Sequence, residues 1–184
     1  SGTAMPLEAY PRVAGFVYAI VSDGFGGWFV GGHFGGVGGL QRANLAHIDS
    51  DGHVANWTPN PNGDVLTLTL SGSRLYVGGE FTQIAGVKRE FAAAVDVDVG
   101  FATPWNPHLD AGVRAILPRG ASVFLGGFFG NVDGQPREGL AEVDRTTGRV
   151  MAWNPSPDDQ VYALASHGDT LYVGGNFSSI AGLP

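Results

Sequence analysis

The chain has 184 residues, 43% of them hydrophobic and only 15% charged, with ten Lys+Arg against 17 Asp+Glu and a net charge of −7. This composition suits a globular chain, and its acidic balance excludes the clustered positive surface that nucleic-acid binding needs. Cysteine is absent, which excludes disulfides, thiolate metal sites and a cysteine nucleophile, and no run approaches 18 consecutive apolar residues, so no membrane span is expected.

In chain order, residues 5–11 read first as a lone strand ending at Pro11, with Ala9 where later segments carry tryptophan. A first apolar strand follows at Val17-Tyr-Ala-Ile and returns at Val65, Val113 and Val161, each 48 residues on. Pro11, Pro59, Pro107 and Pro155 keep the same beat. A Gly-containing turn leads from each first strand into a second, and the two read as a hairpin. The second strand ends at a glycine pair: Gly31-Gly32, Gly78-Gly79, Gly126-Gly127 and Gly174-Gly175. Paired glycines allow close backbone approach where a side chain would collide.

An arginine comes 11 residues after the first glycine, at Arg42, Arg89 and Arg137. The third strand then runs over 45–49, 92–96 and 140–144 and closes in a turn. A fourth strand is expected to end at Trp57-Thr-Pro, Trp105-Asn-Pro and Trp153-Asn-Pro, because proline cannot donate to an interior ladder. A period of this length, built from short strands and turns, predicts an all-β fold: a β-propeller of four-stranded antiparallel blades. The single region 1–184 divides into the lone strand 5–11, full blades over 17–64, 65–112 and 113–160, and a half blade over 161–184. This unequal count suggests part of a larger propeller. The alternatives are an irregular closing blade or pairing with another copy or subunit.

Leu-Tyr-Val-Gly-Gly-x-Phe at 75–81 and 171–177, with Ile-x-Gly-x-x-Arg, Leu-Ala-x-x-Asp-x-x-Thr-Gly and Trp-Asn-Pro beside them, resembles the bacterial delta-60 repeat propellers. That domain family has no determined function. The resemblance covers about residues 5–184 and implies an extracellular or cell-surface, non-catalytic setting. Gly35-Gly36-Val37-Gly38-Gly39 departs from the pattern in the first unit, as do Phe91 and Asp98-Val99-Gly100 in the second. Looser likenesses are to kelch repeats and to the tryptophan-docking motif of quinoprotein propellers.

The tryptophans admit two roles, a sugar-stacking ladder or packing between adjacent blades with the N–H bonded locally. One tryptophan at one position per blade favours packing. Arg42, Arg89 and Arg137 each precede an aspartate by seven residues (Asp49, Asp96 and Asp144), and a charge pair at the blade interface is the expected arrangement. Asp49-Ser-Asp51-Gly52, Asp96-Val-Asp98 and Asp158-Asp159 offer calcium only part of the oxygen set it needs, so calcium at an Asp-rich turn is a minor reading and no cofactor is expected. The five histidines lack zinc spacing, and no Gly-x-Ser-x-Gly occurs, so no metal site and no catalytic residue is assigned.

The position after the glycine pair varies, as His33, Glu80, Phe128 and Asn176, inside an otherwise fixed motif. These four are the candidate ligand- or partner-contacting residues, since variable loops on a rigid scaffold carry function. The expected function is a non-catalytic scaffold binding a protein or carbohydrate partner. The alternatives are a hydrolase or oxidoreductase with its site at the central channel, or a structural spacer in a large surface protein.

Overall fold

The computed structural model describes residues 10–183, in which every regular element is a strand and none a helix. The expected lone strand over 5–11 therefore lies outside the described residues except for Tyr10 and Pro11, which form no strand. Among the described residues no helix is long and apolar enough to cross a membrane.

Four units follow one another. Unit 1 holds β1 (Val13–Ser22), β2 (Trp28–Val37), β3 (Leu40–Gln41) and β4 (Leu45–Ile48). Unit 2 holds β5 (Val65–Ser71), β6 (Arg74–Gly79), β7 (Gln83–Ile84), β8 (Val87–Lys88) and β9 (Ala92–Asp96). Unit 3 repeats this with β10 (Val113–Arg119), β11 (Ser122–Gly127), β12 (Asn131–Val132), β13 (Gln135–Pro136) and β14 (Leu140–Asp144). Unit 4 is the hairpin of β15 (Val161–His167) and β16 (Thr170–Gly175). In units 1 to 3 the second strand is central, paired antiparallel with the first on one side and the third on the other.

The hairpin turns follow from their glycines. Two residues join β5 to β6, β10 to β11 and β15 to β16, and Gly72, Gly120 and Gly168 occupy the first of the two with φ of +61°, +57° and +52°. Positive φ at that position alone is the type II′ arrangement, whose twist matches the flanking strands. Unit 1 ends its ladder one pair sooner and closes with five residues, Asp23 to Gly27. There Asp23 Oδ1 accepts the N–H groups of Phe25 and Gly27, both at 2.8 Å.

The expected fourth strand is reduced to a single bridge: Val54 on Ile48, Ala102 on Val95 and Val150 on Val143. The arginines explain why the ladder stops. Carbonyls that would continue it, those of Ala55, Thr103 and Met151, accept instead from Arg42, Arg89 and Arg137 at 2.7–2.9 Å. The same guanidinium groups also donate to the carbonyl of the preceding residue. The expected Arg–Asp pairs do not form, because the third strand separates the two groups. Asp49, Asp96 and Asp144 cap their own turns, accepting from backbone N–H groups two to four residues on.

A second polar device shapes the loop after the glycine pair. Asn62, Asp110 and Asp158 each accept backbone N–H bonds from residues 20 and 21 positions later, between 2.8 and 3.1 Å. Ala14 stands at this position in unit 1. Without the clamp, β1 and β2 run on to ten residues each, and β3 pairs directly with β2. The Ser178 hydroxyl, with the Ser179 and Ser178 N–H groups, holds the Asp158 carboxyl far below the usual carboxylate range. At Asp110, burial pushes the pKa up, but the Asn131 side chain and the Asn131 and Gly130 N–H groups outweigh it, leaving a net depression.

Both folded pKa values lie below the unfolded value of about 3.9. Their stabilisation is therefore complete above that pH and lost as pH falls through the folded values. The melting temperature should be flat above about pH 5 and drop below about pH 4. Asp158→Asn, which keeps an acceptor as Asn62 does, should flatten that drop. An unchanged acid limb in the variant would exclude the Asp158 clamp as its source.

Packing between units forms the core. One cluster joins Phe29, Leu45 and Trp57 of unit 1 to Val65, Leu68, Leu75, Val77, Ala93 and Val95 of unit 2. A second joins Tyr76, Ala94 and Trp105 of unit 2 to Val113, Ile116, Val123, Leu125 and Val143 of unit 3. Thus β1 packs on β5, β5 on β10 and β10 on β15.

Candidate functional site

The two glycines of each pair have different tasks. A Cβ on the first would enter the following unit: at Gly78 it would lie 2.8 Å from Val113 Cγ1 and 3.0 Å from Ile116 Cδ1, and at Gly126, 2.6 Å from Val161 Cγ1. A Cβ on the second would run into its own unit's first strand, at the carbonyls of Phe16, Asp64, Gly112 and Gln160 for Gly32, Gly79, Gly127 and Gly175. Opposite this pair every first strand carries a bulge. Register slips between Val17 and Ala19, Val65 and Thr67, Val113 and Ala115, and Val161 and Ala163. One residue is left unpaired in each: Tyr18, Leu66, Arg114 and Tyr162. Bulges re-aim side chains, and these repeat at one place in all four units.

The bulge residues and the four candidates form a row along one side of the array. His33 Nδ1 lies 2.6 Å from Asp64 Oδ1 of unit 2, with both side chains solvent-accessible. Glu80, whose N–H donates to the Asp64 carbonyl at 2.8 Å, lies over Gly112 of unit 3, where a Cβ would strike its carboxylate. The Arg114 guanidinium is 4.8 Å above the Phe128 ring, a cation–π distance. Phe128 in turn meets Tyr162 of unit 4 edge-on at 6.0 Å. Asn176 stays within unit 4 and donates to Asp159 Oδ2 at 3.2 Å.

Val17, Tyr18, Asp64, Leu66, Glu80 and Arg114 line an open concavity of about 640 Å³ across units 1 to 3. A smaller hollow of about 210 Å³ lies beside Phe128, Glu138, Asp158 and Asp159. The structure therefore spreads His33, Glu80, Phe128 and Asn176 along a row and brings Glu80 together with Asp64 and Arg114. Sequence reasoning missed the bulge residues. Their signal is the position after the repeating valine (Val17, Val65, Val113 and Val161), which varies as Tyr, Leu, Arg and Tyr.

Among the described residues no three His, Asp or Glu groups gather as a metal set. Asp49 and Asp96 accept from backbone N–H groups of their own turns, and Asp158 accepts from the Ser178 hydroxyl and the Ser178 and Ser179 N–H groups. His47 is packed structurally, stacked on Phe29 at 4.3 Å with Nε2 2.9 Å from Asp23 Oδ2. Burial raises the Asp23 pKa, but the His47 bond and the Phe25 and Gly27 N–H groups outweigh it, and the carboxyl is held low overall.

Trp57 and Trp105 take the packing role, with one correction: their indole N–H groups are bonded to the next unit, not locally. Trp57 Nε1 donates to the Asp96 carbonyl at 3.2 Å and Trp105 Nε1 to the Asp144 carbonyl at 3.1 Å.

The chain matches no family model and no curated protein. Among solved structures it is similar to the crystal structure of the computationally designed Ika8 protein, with TM-score 0.64 and 12% identity over 89% of this chain and 44% of that one. It is also similar to the computationally designed Ika4 protein, with TM-score 0.63 and 13% identity over 92% of both chains. The chain thus spans less than half of the Ika8 protein. At these identities the likeness concerns the fold alone.

Proposed function

We propose that this chain is the repeat region of a β-propeller acting as a non-catalytic binding scaffold, and that it holds a protein segment along the row of bulge and post-glycine residues. One observation carries the reading. Residue identity changes from unit to unit at two positions, the bulge residue 18/66/114/162 and the post-glycine residue 33/80/128/176, and Tyr18, Leu66, Glu80 and Arg114 among them line an open concavity. Rigid strands hold these side chains while the residues around them repeat, which is how a scaffold presents a variable surface. Carboxylates at Asp64 and Glu80, a guanidinium at Arg114 and exposed rings at Tyr18 and Tyr162 suit an extended polypeptide of mixed charge. The resemblance to delta-60 propellers adds an extracellular or cell-surface setting.

The test is binding to peptide and glycan arrays by the chain and by Glu80→Ala, Arg114→Ala and Tyr162→Ala. Loss of peptide binding by about tenfold or more at unchanged melting temperature is the expected result. Binding indifferent to all three substitutions would refute the site, and binding confined to glycans would refute the protein partner.

A further inference from the structure

Asn62 stands at the clamp position of unit 2, where units 3 and 4 carry Asp110 and Asp158. It is also the one asparagine of the chain that a glycine follows. The side-chain carbon of an asparagine is open to attack by the main-chain nitrogen of the next residue, and glycine hinders that approach least because it has no Cβ. The fold itself calls for glycine here, since a Cβ on Gly63 would lie 2.5 Å from the Glu80 carbonyl oxygen. Among the described residues the Gly63 N–H donates to no acceptor, and Asn62 is exposed to water.

The surroundings of the amide suit its loss. Asn62 Oδ1 accepts the N–H groups of Thr82 and Gln83, both at 2.9 Å. Two backbone donors on one carbonyl oxygen polarise it and stabilise the negative charge that develops there during attack. Asn62 Nδ2, the group that would leave, donates to Thr82 Oγ1 at 3.0 Å. Unit 4 shows what a carboxylate makes of the same parts. Ser178, two repeats on from Thr82, turns its hydroxyl around and donates to Asp158 Oδ2 at 2.6 Å, while the Ser178 and Ser179 N–H groups hold Oδ1 at 2.8 and 3.0 Å.

We propose that Asn62 is a self-modification site, converted to aspartate in the folded chain by cyclisation onto Gly63, and that the product completes in unit 2 the carboxylate clamp of units 3 and 4. The Gly63 nitrogen loses its proton to water or hydroxide and bonds to Asn62 Cγ. The Cγ–Nδ2 bond breaks, and Nδ2 departs as ammonia with a proton from water. Water then adds to Cγ of the succinimide and breaks its bond to the Gly63 nitrogen, which regains a proton. The sum is amide plus water giving carboxylate plus ammonium, with nothing oxidised or reduced. Opening at the main-chain carbonyl would instead route the backbone through the side chain as isoaspartate. The Thr82 and Gln83 N–H groups polarise Cγ, so the clamp directs water there and favours aspartate.

Incubating the folded 184-residue chain at mildly alkaline pH should add one negative charge to its net −7, read by ion exchange. Peptide mapping should place aspartate at position 62 in excess over isoaspartate, whereas the chain unfolded in urea should give isoaspartate in excess. Asn62→Asp should coelute with the product. It should melt above the starting chain at neutral pH, because a charged acceptor strengthens bonds to N–H groups, and lose that gain below about pH 4 as the carboxylate takes up its proton. An Asn62 still intact in the folded chain when the unfolded chain has converted would overturn the proposal. So would isoaspartate in excess from the folded chain, or an Asn62→Asp chain that melts no higher.

Discussion

Trp105→Ala is expected to lower the unfolding free energy by about 3–5 kcal/mol, the range for emptying a large buried aromatic site. The side chain is fully buried, stands edge-on to Tyr76 at 5.3 Å and clasps the next unit through its N–H to the Asp144 carbonyl. Alanine would leave a cavity in the junction of units 2 and 3 and remove one of two bonds to that carbonyl, which also accepts from the Gly148 N–H at 2.9 Å. A loss of this size is a large part of the ~5–15 kcal/mol by which domains are stable. Trp153→Ala provides the internal comparison. Trp153 is 37% exposed and its indole N–H has no acceptor among the described residues, although it keeps an edge-on aromatic partner, Phe124, at 5.4 Å. Its removal should cost about 1 kcal/mol. Denaturant titration of the two variants measures the difference, and equal losses would show that the tryptophans do not join the units.

The second large effect is Gly78→Ala, expected to destabilise by about 1–3 kcal/mol, the range for overpacking a tight core. Its new methyl group would be 2.7 Å from Thr67 Cγ2, 2.8 Å from Val113 Cγ1 and 3.0 Å from Ile116 Cδ1. Val113 and Ile116 are buried in the next unit and have no room to yield. Gly174→Ala, at the same repeat position, would meet only Ala163 Cβ at 3.7 Å and should be silent. Thermal melts of both variants check the pair. A damaging Gly174→Ala, or a harmless Gly78→Ala, would deny that the first glycine exists to admit the following unit.

Much of this was legible in the repeat. The 48-residue beat located every first strand, and the tryptophans were read as packing between units; the glycine pairs marked the ends of the second strands in units 2 to 4, but β2 runs on past Gly31-Gly32 to Val37. What escaped were effects of groups distant along the chain. Seven residues between Arg137 and Asp144 suggested an ion pair, but a strand intervenes, and the guanidinium finds the Met151 carbonyl while the carboxylate caps its own turn. The same carbonyl bonds cut the expected fourth strand to one bridge. The clamp by Asn62, Asp110 and Asp158 spans 20 residues, beyond the reach of local pattern. Its absence at Ala14 is what lengthens β1 and β2.

Of the candidate site, the post-glycine positions were visible as variation within a fixed motif. Their neighbours Tyr18, Leu66, Arg114 and Tyr162 were not, because a bulge is a fault in pairing that alternation alone does not reveal.

Indole hydrogen exchange, followed by NMR, tests most directly whether each unit is closed by the next. Trp57 and Trp105 should exchange on the order of 100-fold more slowly than Trp153, since their N–H groups are buried in bonds to Asp96 and Asp144 of the following unit. Three tryptophans exchanging at one common rate would contradict the account.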